Sequence, residues 1–361
     1  MISRSFIFFI LAFLGFFSVN KLSLNPAYVL GVLFFFLSVV LIDLRYVSKY
    51  LIINSLLSIA FLCNFLIGIN LEKRLHEVVY LSSFLFCYSI IIGAVCYNVG
   101  VFLKKEQRIA VYEKINKTLF IVLVFEFLTR IINPTEGEEG FYKFKESLFY
   151  FDSNFTGIVI CAFLMLFVFF KEKGIYDIGR FYMWGYIVLL FLTFSRGSIL
   201  AFLIAYFLVK ISGKYYRISS IIISFFVLYV SVRLINYFDA GNDFRDVDLS
   251  FNSKFNIIYN TFDIYNSFNF FQKLFGIGLA NYINYGGIFA HTLLTTFLIE
   301  FGFVGMAVFL IMCIYHYTKT KGYLMYLLFP FLINSASLFS AYMVFYFIIV
   351  SLIAIEVNDA K

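Results

Sequence analysis

The chain has 361 residues, of which 62% are hydrophobic and only 14% are charged, and its formal net charge is +7. Soluble domains carry about a quarter charged residues, so too little charge is present here to cover a water-exposed surface. The composition therefore excludes an ordinary soluble domain and indicates an all-α, polytopic membrane protein.

Apolar runs predict a bundle of about twelve transmembrane helices, with ten or eleven as alternatives because several runs are shorter than the roughly 20 residues of a typical span. The helices would form a single integral membrane domain over residues 1–361. The first run lacks a small-residue cleavage site, so we interpret it as a membrane helix rather than a signal peptide. The predicted helices cover residues 6–19, 27–42, 50–70, 78–103, 118–132, 154–170, 181–194, 197–211, 218–238, 291–315, 322–334 and 338–355.

The basic residues predict the orientation of this bundle. Most of the 28 Lys and Arg residues fall on connections that are inside if the N-terminus is inside. The positive-inside rule then predicts that both termini are cytoplasmic. This orientation places three features on the outer face: the acidic loop 133–150, the tripeptide Ser195-Arg196-Gly197 and the long connection 239–290, whose length is typical of functional loops.

The tripeptide at 195–197 separates the seventh and eighth predicted helices, and it could join two short helices or interrupt one long helix. An arginine at bilayer depth costs about 2.5–3.5 kcal/mol, so Arg196 needs a compensating partner. Its planar guanidinium could bind a lipid-linked pyrophosphate through two parallel hydrogen bonds. The alternative is an arginine that snorkels to lipid headgroups.

The long connection has a helical pattern of its own before the tenth predicted helix. Apolar side chains recur at steps of three and four residues, which predicts an amphipathic helix. This helix could lie on the outer membrane surface or pack on the bundle, and the pattern leaves both open. The apolar stripe comprises Phe251, Phe255, Ile258, Phe262 and Tyr265, and the opposite face carries Asn256, Asn260 and Asp263.

His291 ends the long connection and begins the predicted helix 291–315. An imidazole at the membrane boundary could accept a proton near neutral pH, or it could simply bond to backbone at a helix start. In a continuous helix Glu300 would lie on the opposite face from His291, so the two would not form a dyad. We expect Glu300 to pair within the bundle, and Gly302 and Gly305 to allow another helix to approach closely.

Three further patterns are open to structural interpretations. Glu126 and Arg130 are one helical turn apart, which predicts an ion pair, with a phosphate contact for Arg130 as the alternative. Gly276-Ile277-Gly278 is weak evidence for a phosphate cradle and more typical of a tight turn. Asp152-Ser153-Asn154 is expected to cap the sixth helix.

The sequence gives no sign of a nucleic-acid, metal, cofactor or disulfide site. No basic block resembles a nucleic-acid-binding patch, and no residue spacing suggests a metal or cofactor site. The cysteines are odd in number and lie in apolar runs, which argues against disulfides and favours small apolar fillers. They are Cys63, Cys87, Cys96, Cys161 and Cys313.

These motifs, in this order, resemble the Wzy polymerase/WaaL ligase superfamily of bacterial surface polysaccharide assembly. The likeness covers residues 150–310, while the N-terminal third is similar only as a string of spans. It is carried by Phe-Asp-Ser-Asn-Phe at 151–155, Thr-Phe-Ser-Arg-Gly at 193–197, Phe-Gly-Ile-Gly at 275–278, His291 and Glu-Phe-Gly-Phe-Val-Gly at 300–305.

The resemblance implies a metal-independent, inverting glycosyl transfer on the outer face of the bacterial plasma membrane, from a glycan on undecaprenyl pyrophosphate. In the family, arginines hold the pyrophosphate and a histidine serves catalysis, and by motif these roles fall on Arg196 and His291. A second family arginine has no matching residue here; the candidates are Lys254, Arg245 and Arg233. Besides the lipid-linked oligosaccharide and membrane lipids, a chain-length regulator protein and a flippase are candidate partners.

The function expected from this resemblance is polymerisation of lipid-linked repeat units. A ligase that moves the finished glycan to a lipid or other acceptor is the nearest alternative, since the motifs are shared. The third alternative is a flippase or transporter of lipid-linked sugars. The absence of an internal repeat in the sequence weakens this last interpretation.

Overall fold

The computed structural model describes residues 3–14, 47–135, 143–147, 153–239, 249–290, 292–335 and 344–358. Helices make up 82% of these residues and none of them lies in a β-strand, so the all-α prediction is confirmed for this part of the chain. The predicted helix 27–42 lies outside the described residues.

The helices are numbered here in chain order. A 3₁₀ turn, Gly213–Tyr215, joins α7 to α8, and a π-helix, Thr296–Phe301, joins α12 to α13. The described α-helices are α1 (Arg4–Leu14), α2 (Lys49–Leu71), α3 (Val79–Gly100), α4 (Lys105–Ile132), α5 (Ser153–Glu172), α6 (Gly179–Phe191), α7 (Arg196–Ser212), α8 (Tyr216–Asp239), α9 (Leu249–Ser267), α10 (Phe270–Phe275), α11 (Ile283–Gly286), α12 (Leu293–Thr295), α13 (Gly302–Lys319), α14 (Met325–Ser335) and α15 (Val344–Asn358).

Five helical segments of the described chain are long and apolar enough to cross a membrane. This supports a helical membrane protein, while the number of twelve spans stays a prediction. Shorter apolar helices are α1, α14 and α15. The five segments are Lys49–Leu71, Val79–Gly100, Ser153–Glu172, Arg196–Phe226 and Leu293–Lys319.

Side-chain caps define where several helices begin. Ser48 Oγ accepts the Leu51 N–H at 3.1 Å at the start of α2. Asn269 and Gln272 form a reciprocal capping box at α10, in which each side chain accepts the backbone N–H of the other. Such caps satisfy the N–H groups that a helix start leaves unpaired.

A buried polar network marks one end of the bundle, which we call the Glu356 end. Glu356 Oε1 accepts hydrogen bonds from Arg108 Nε and from the Tyr112 hydroxyl, both at 2.7 Å. Arg108 also donates to the Leu103 carbonyl at 2.7 Å. Arg4 lies over the neighbouring Phe102 ring, so both described termini lie at this end.

The opposite end, which we call the loop end, carries the long connection. α3 begins at Val79 close to Gly278, and its last residue, Gly100, packs against Ile355 at the Glu356 end. α4 has 28 residues and spans about 42 Å. It therefore carries Arg130 away from the Glu356 end to the loop end.

The predicted helix 291–315 is present as the apolar helical segment Leu293–Lys319, but it is irregular, with a π-helix over Thr296–Phe301 and an unusual backbone at Gly302. Gly302 has φ +65, a value that L side chains rarely adopt. The carbonyls of Ile299 and Glu300 accept the N–H groups of Ile277 and Gly278 at 3.0 and 3.2 Å. Because these carbonyls bind the long connection, the helix cannot continue regularly through them.

α9 confirms the predicted helix within the long connection, but its packed face includes only part of the predicted stripe, of which Tyr265 packs against Phe303. Ile257 and Thr261 are buried, whereas Tyr259 is 52% exposed and Phe262 is 41% exposed. Phe262 belongs to the predicted aromatic stripe, and its exposure means that it does not pack on the bundle. That alternative is therefore wrong for this residue. Contact of that stripe with the membrane surface stays a prediction.

Candidate functional site

Arg196 lies at the loop end, on a tight turn between two helices. α6 ends at Phe191, and α7 begins at Arg196. Between them Phe194 has φ +54, which is uncommon for a residue other than glycine. The sequence left open one helix or two, and the structure has two. We call residues 192–196 the arginine turn.

Buried polar groups hold the arginine turn in place. Ser195 Oγ and Ser198 Oγ are 2.9 Å apart, and Asn334 Nδ2 donates to Ser198 Oγ at 3.0 Å. Gly157 of α5 leaves no room for a side chain here, since a Cβ atom would lie 2.8 Å from Ser195 Cβ. The serines and the asparagine are buried, whereas the Arg196 side chain is exposed.

The predicted ion pair between Glu126 and Arg130 is present beneath this turn. Arg130 Nε lies 3.0 Å from Glu126 Oε1, and both side chains are buried. Arg130 Nη1 also donates to the carbonyls of Phe144 and Leu192 at 3.2 and 3.4 Å. The pair thus connects α4 to the arginine turn, and a phosphate contact for Arg130 stays a prediction.

The long connection is attached to the bundle through glycines and one asparagine. Asn64 Nδ2 donates to the carbonyls of Phe275 and Phe301 at 3.2 and 2.9 Å. A Cβ atom at Gly302 would lie 2.3 Å from the Gly276 nitrogen. A Cβ atom at Gly305 would lie 2.8 Å from Asn64 Nδ2, which agrees with the close approach predicted for Gly302 and Gly305.

The Gly-Ile-Gly motif forms a turn in this contact. Gly276 and Gly278 have φ +71 and +87. The N–H groups of Ile277 and Gly278 donate to the carbonyls of Ile299 and Glu300. Because these two N–H groups are already bonded, the phosphate-cradle interpretation of the motif is wrong and the tight-turn interpretation agrees with the structure.

Glu300 bonds to loop backbone instead of a cation. Its buried carboxylate accepts the Tyr282 N–H at 3.2 Å. A charge-assisted hydrogen bond from a backbone amide helps to satisfy a carboxylate in a dry environment. Glu300 thereby holds Tyr282 of the long connection, a pairing that the sequence did not predict.

A second set of contacts, also unforeseen from the sequence, joins the connection to the turn between α2 and α3. Glu72 Oε2 accepts from the Tyr285 hydroxyl at 2.7 Å and from Gln272 Nε2 at 3.0 Å. Burial, with Glu72 beside it, raises the pKa of Tyr285, so the phenol stays protonated and donates. Asn281 Oδ1 accepts the His76 N–H at 2.8 Å.

For the remaining predicted site residues, the structure gives at most the helix on which they lie. His291 and Arg245 lie outside the described residues. Arg233 lies in α8 and Lys254 in α9, and their roles in binding stay predictions. Asn154 lies in the first turn of α5, whose predicted cap includes Asp152, outside the described residues.

Comparison of the chain with protein-family models, with curated proteins and with solved structures finds no match. The candidate site is therefore defined by the geometry of the chain itself. At the loop end it combines an exposed arginine on a fixed turn with a long connection whose backbone is bonded to the bundle.

We expect Asn64→Ala to lower the free energy of unfolding by about 2 kcal/mol, because two buried carbonyls lose their donor. Protease cleavage within residues 276–290 should also become faster. Unfolding in mixed detergent micelles and limited proteolysis would measure the two effects. The control is Asn133→Ala, since Asn133 Nδ2 donates to Thr129 O at 3.3 Å on an exposed surface. Equal losses for both variants would contradict this role of Asn64.

Proposed function

We propose that the protein polymerises lipid-linked glycan repeat units at the outer face of the bacterial plasma membrane. In this proposal, the loop end is extracytoplasmic and both termini are cytoplasmic. The donor is a glycan on undecaprenyl pyrophosphate, and the acceptor is a hydroxyl of the next lipid-linked repeat unit. The proposal extends the resemblance of residues 150–310 to the polymerase and ligase superfamily.

The observation that carries the proposal is the exposed Arg196 on its fixed turn. The buried contacts among Ser195, Ser198 and Asn334 hold the backbone that precedes and follows this arginine. A guanidinium presented from a fixed backbone loses less conformational freedom when it forms two parallel hydrogen bonds to a phosphate. Its position at the start of α7 also places it at the N-terminus of a helix, where anions are stabilised.

The chemistry needs a cation and a base more than it needs a metal. The acceptor hydroxyl oxygen bonds to the anomeric carbon while the bond from that carbon to the pyrophosphate oxygen breaks. Arg196 stabilises the negative charge that develops on the leaving pyrophosphate. His291 is proposed to take the proton of the acceptor hydroxyl as the general base.

The long connection supports the proposal through its place in the fold. It is bonded to the bundle at Asn64 and Glu300, so the backbone that leads towards His291 is held at the loop end. The arginine turn lies at this same end, because α4 carries Arg130 there and Arg130 bonds to Leu192. A lipid headgroup at this boundary would be accessible to both parts while its tail stays in the bilayer.

The test compares polysaccharide chain-length ladders in a deletion strain that carries each variant at normal membrane levels. We expect Arg196→Ala and His291→Ala to abolish long polymer and leave single repeat units, since loss of one charge-stabilising group lowers rates by about 10²–10³. Arg196→Lys keeps the charge but not the planar fork, so shorter chains are expected. Arg180→Ala is the matched control. This arginine is exposed at the start of α6, at the end of the bundle that is proposed to be cytoplasmic.

Three outcomes would contradict polymerase function. An unchanged ladder in both alanine variants would exclude the proposed site. Long polymer that stays on its lipid carrier in the deletion strain would indicate a ligase. Repeat units that accumulate on the cytoplasmic leaflet would indicate a flippase.

A further inference from the structure

Part of the long connection packs beside the last turns of α2 rather than beyond the residue at which that helix ends. α2 ends at Leu71, and at 1.5 Å per residue Gly68 and Asn64 lie about 4.5 and 10 Å before that end. Asn64 Nδ2 donates to Phe275 O, and a Cβ atom at Gly68 would lie 2.7 Å from Gly276 O. The backbone at 275–276 therefore lies beside the last turns of a membrane-spanning helix.

We infer that residues 269–282 form a re-entrant segment, which enters the leaflet at the loop end and returns to the same side. α2 has 23 residues and is about 34 Å long, against about 30 Å for the hydrocarbon of a bilayer. Its last turns thus lie at the edge of the hydrocarbon, and the segment lies beside them. Phe270 and Phe271 insert into phospholipid at this edge. This position of residues 269–282 is inferred from the fold alone and does not depend on the proposed glycosyl transfer.

Irregular backbone at membrane depth needs internal partners for its polar groups. The segment has them: Ile277 N and Gly278 N donate to the carbonyls of Ile299 and Glu300. The Phe275 carbonyl accepts from Asn64, and the Glu300 carboxylate accepts the N–H of Tyr282. Ile277 is fully buried, so the tip of the segment is shielded by protein from lipid.

The first turn of α10 carries the lipid-facing side chains. Gln272 Nε2 donates to Glu72 Oε2 at 3.0 Å, which places this turn at the level of the residue that follows α2. Phe270 is 71% exposed and Phe271 is 55% exposed. Phenylalanine is favourable in hydrocarbon on insertion scales, so two exposed rings at this level favour contact with lipid.

Phospholipid is the occupant that the surroundings favour. The neighbouring end of α2 exposes further apolar side chains, so the two phenylalanines continue the lipid-facing surface of a spanning helix. These side chains are Leu66, Ile67 and Leu71, which are 40%, 42% and 38% exposed.

The test uses fluorescence depth quenching of the full chain in phosphatidylcholine–phosphatidylglycerol vesicles. Trp184 is the single tryptophan, so Phe270→Trp and Phe271→Trp are each made together with Trp184→Phe. Leu75→Trp in the same background is the reference expected to lie in water, because Leu75 is 41% exposed on the charged turn between α2 and α3. Wild-type Trp184, which is 65% exposed on the apolar helix α6, is the lipid-facing reference.

We expect both phenylalanine positions to give blue-shifted emission relative to Leu75→Trp. Lipids brominated near the headgroup should quench them strongly, and aqueous iodide should quench them weakly. Iodide quenching as strong as at Leu75→Trp would overturn the inference, because the segment would lie above the membrane. Resistance to both quenchers would also overturn it, because another part of the chain or a second copy would cover the site. The unfolding midpoint of each variant, compared with Trp184→Phe alone, verifies that the fold is retained.

Discussion

Replacing Glu356 by alanine should lower the free energy of unfolding by about 3–5 kcal/mol. Glu356 Oε1 accepts from Arg108 Nε and from the Tyr112 hydroxyl, and the Arg108 and Glu356 side chains are 1% and 3% exposed. The variant leaves the guanidinium buried without this carboxylate and removes the acceptor of the phenol. Because these groups are buried away from solvent, neither the Arg108 guanidinium nor the Tyr112 hydroxyl gains an equivalent hydrogen-bond partner.

The matched control is Glu113→Ala on the same helix as Arg108. Glu113 lies 2.6 Å from Lys117 Nζ, and these side chains are 49% and 54% exposed. Solvent-exposed pairs contribute about 0–1 kcal/mol, so the control should be nearly neutral. Reversible unfolding in mixed micelles measures both variants. If the two losses were equal, the buried network would not stabilise the Glu356 end.

Replacing Gly302 by alanine should cost on the order of 4 kcal/mol and detach the long connection from the bundle. Two effects add at this position. A positive φ combined with an extended ψ costs an L residue about 1–3 kcal/mol, and Gly302 has φ +65 and ψ −178. The new Cβ would also lie 2.3 Å from Gly276 N and 2.6 Å from Phe275 C, which are backbone atoms that cannot rotate away.

Gly174→Ala separates these two effects. Gly174 also has a positive φ, +63, but a Cβ atom there would meet nothing within 4 Å. It should therefore show the cost of a positive φ without a steric clash. Unfolding free energies give the difference between the variants, and faster proteolysis of residues 276–290 should appear only for Gly302→Ala. A loss at Gly302 no larger than at Gly174 would show that the glycine contact is not needed.

Local patterns were sufficient where an interaction lies within one helix. Glu126 and Arg130 are four residues apart, and helical geometry alone brings their side chains together. The apolar runs likewise predict helices because twenty apolar residues in lipid must satisfy their own backbone hydrogen bonds. Gly276 and Gly278 predict a turn because glycine adopts positive φ without steric cost.

Contacts between distant segments could not be inferred in this way. The predicted helix 291–315 assumed that each carbonyl would bond within the helix, whereas Ile299 and Glu300 bond to residues 277 and 278. Asn64 had no local partner to suggest its role, since its acceptors are 211 and 237 residues away. Glu300 was expected to pair within the bundle, and it accepts the Tyr282 N–H of the connection instead.

The amino-acid sequence alone predicted that the chain is a helical membrane protein, that Arg196 lies where two apolar runs meet, and that Glu126 and Arg130 form a pair. Each of these follows from composition or from spacing within a few residues. Tertiary structure alone decided that Glu356 binds Arg108, that the helical segment Leu293–Lys319 is irregular at Gly302, and that the long connection is bonded beside α2. The physical reason is that a buried polar group bonds to whichever partner the packing of helices brings near, and separation along the chain carries no information about that partner.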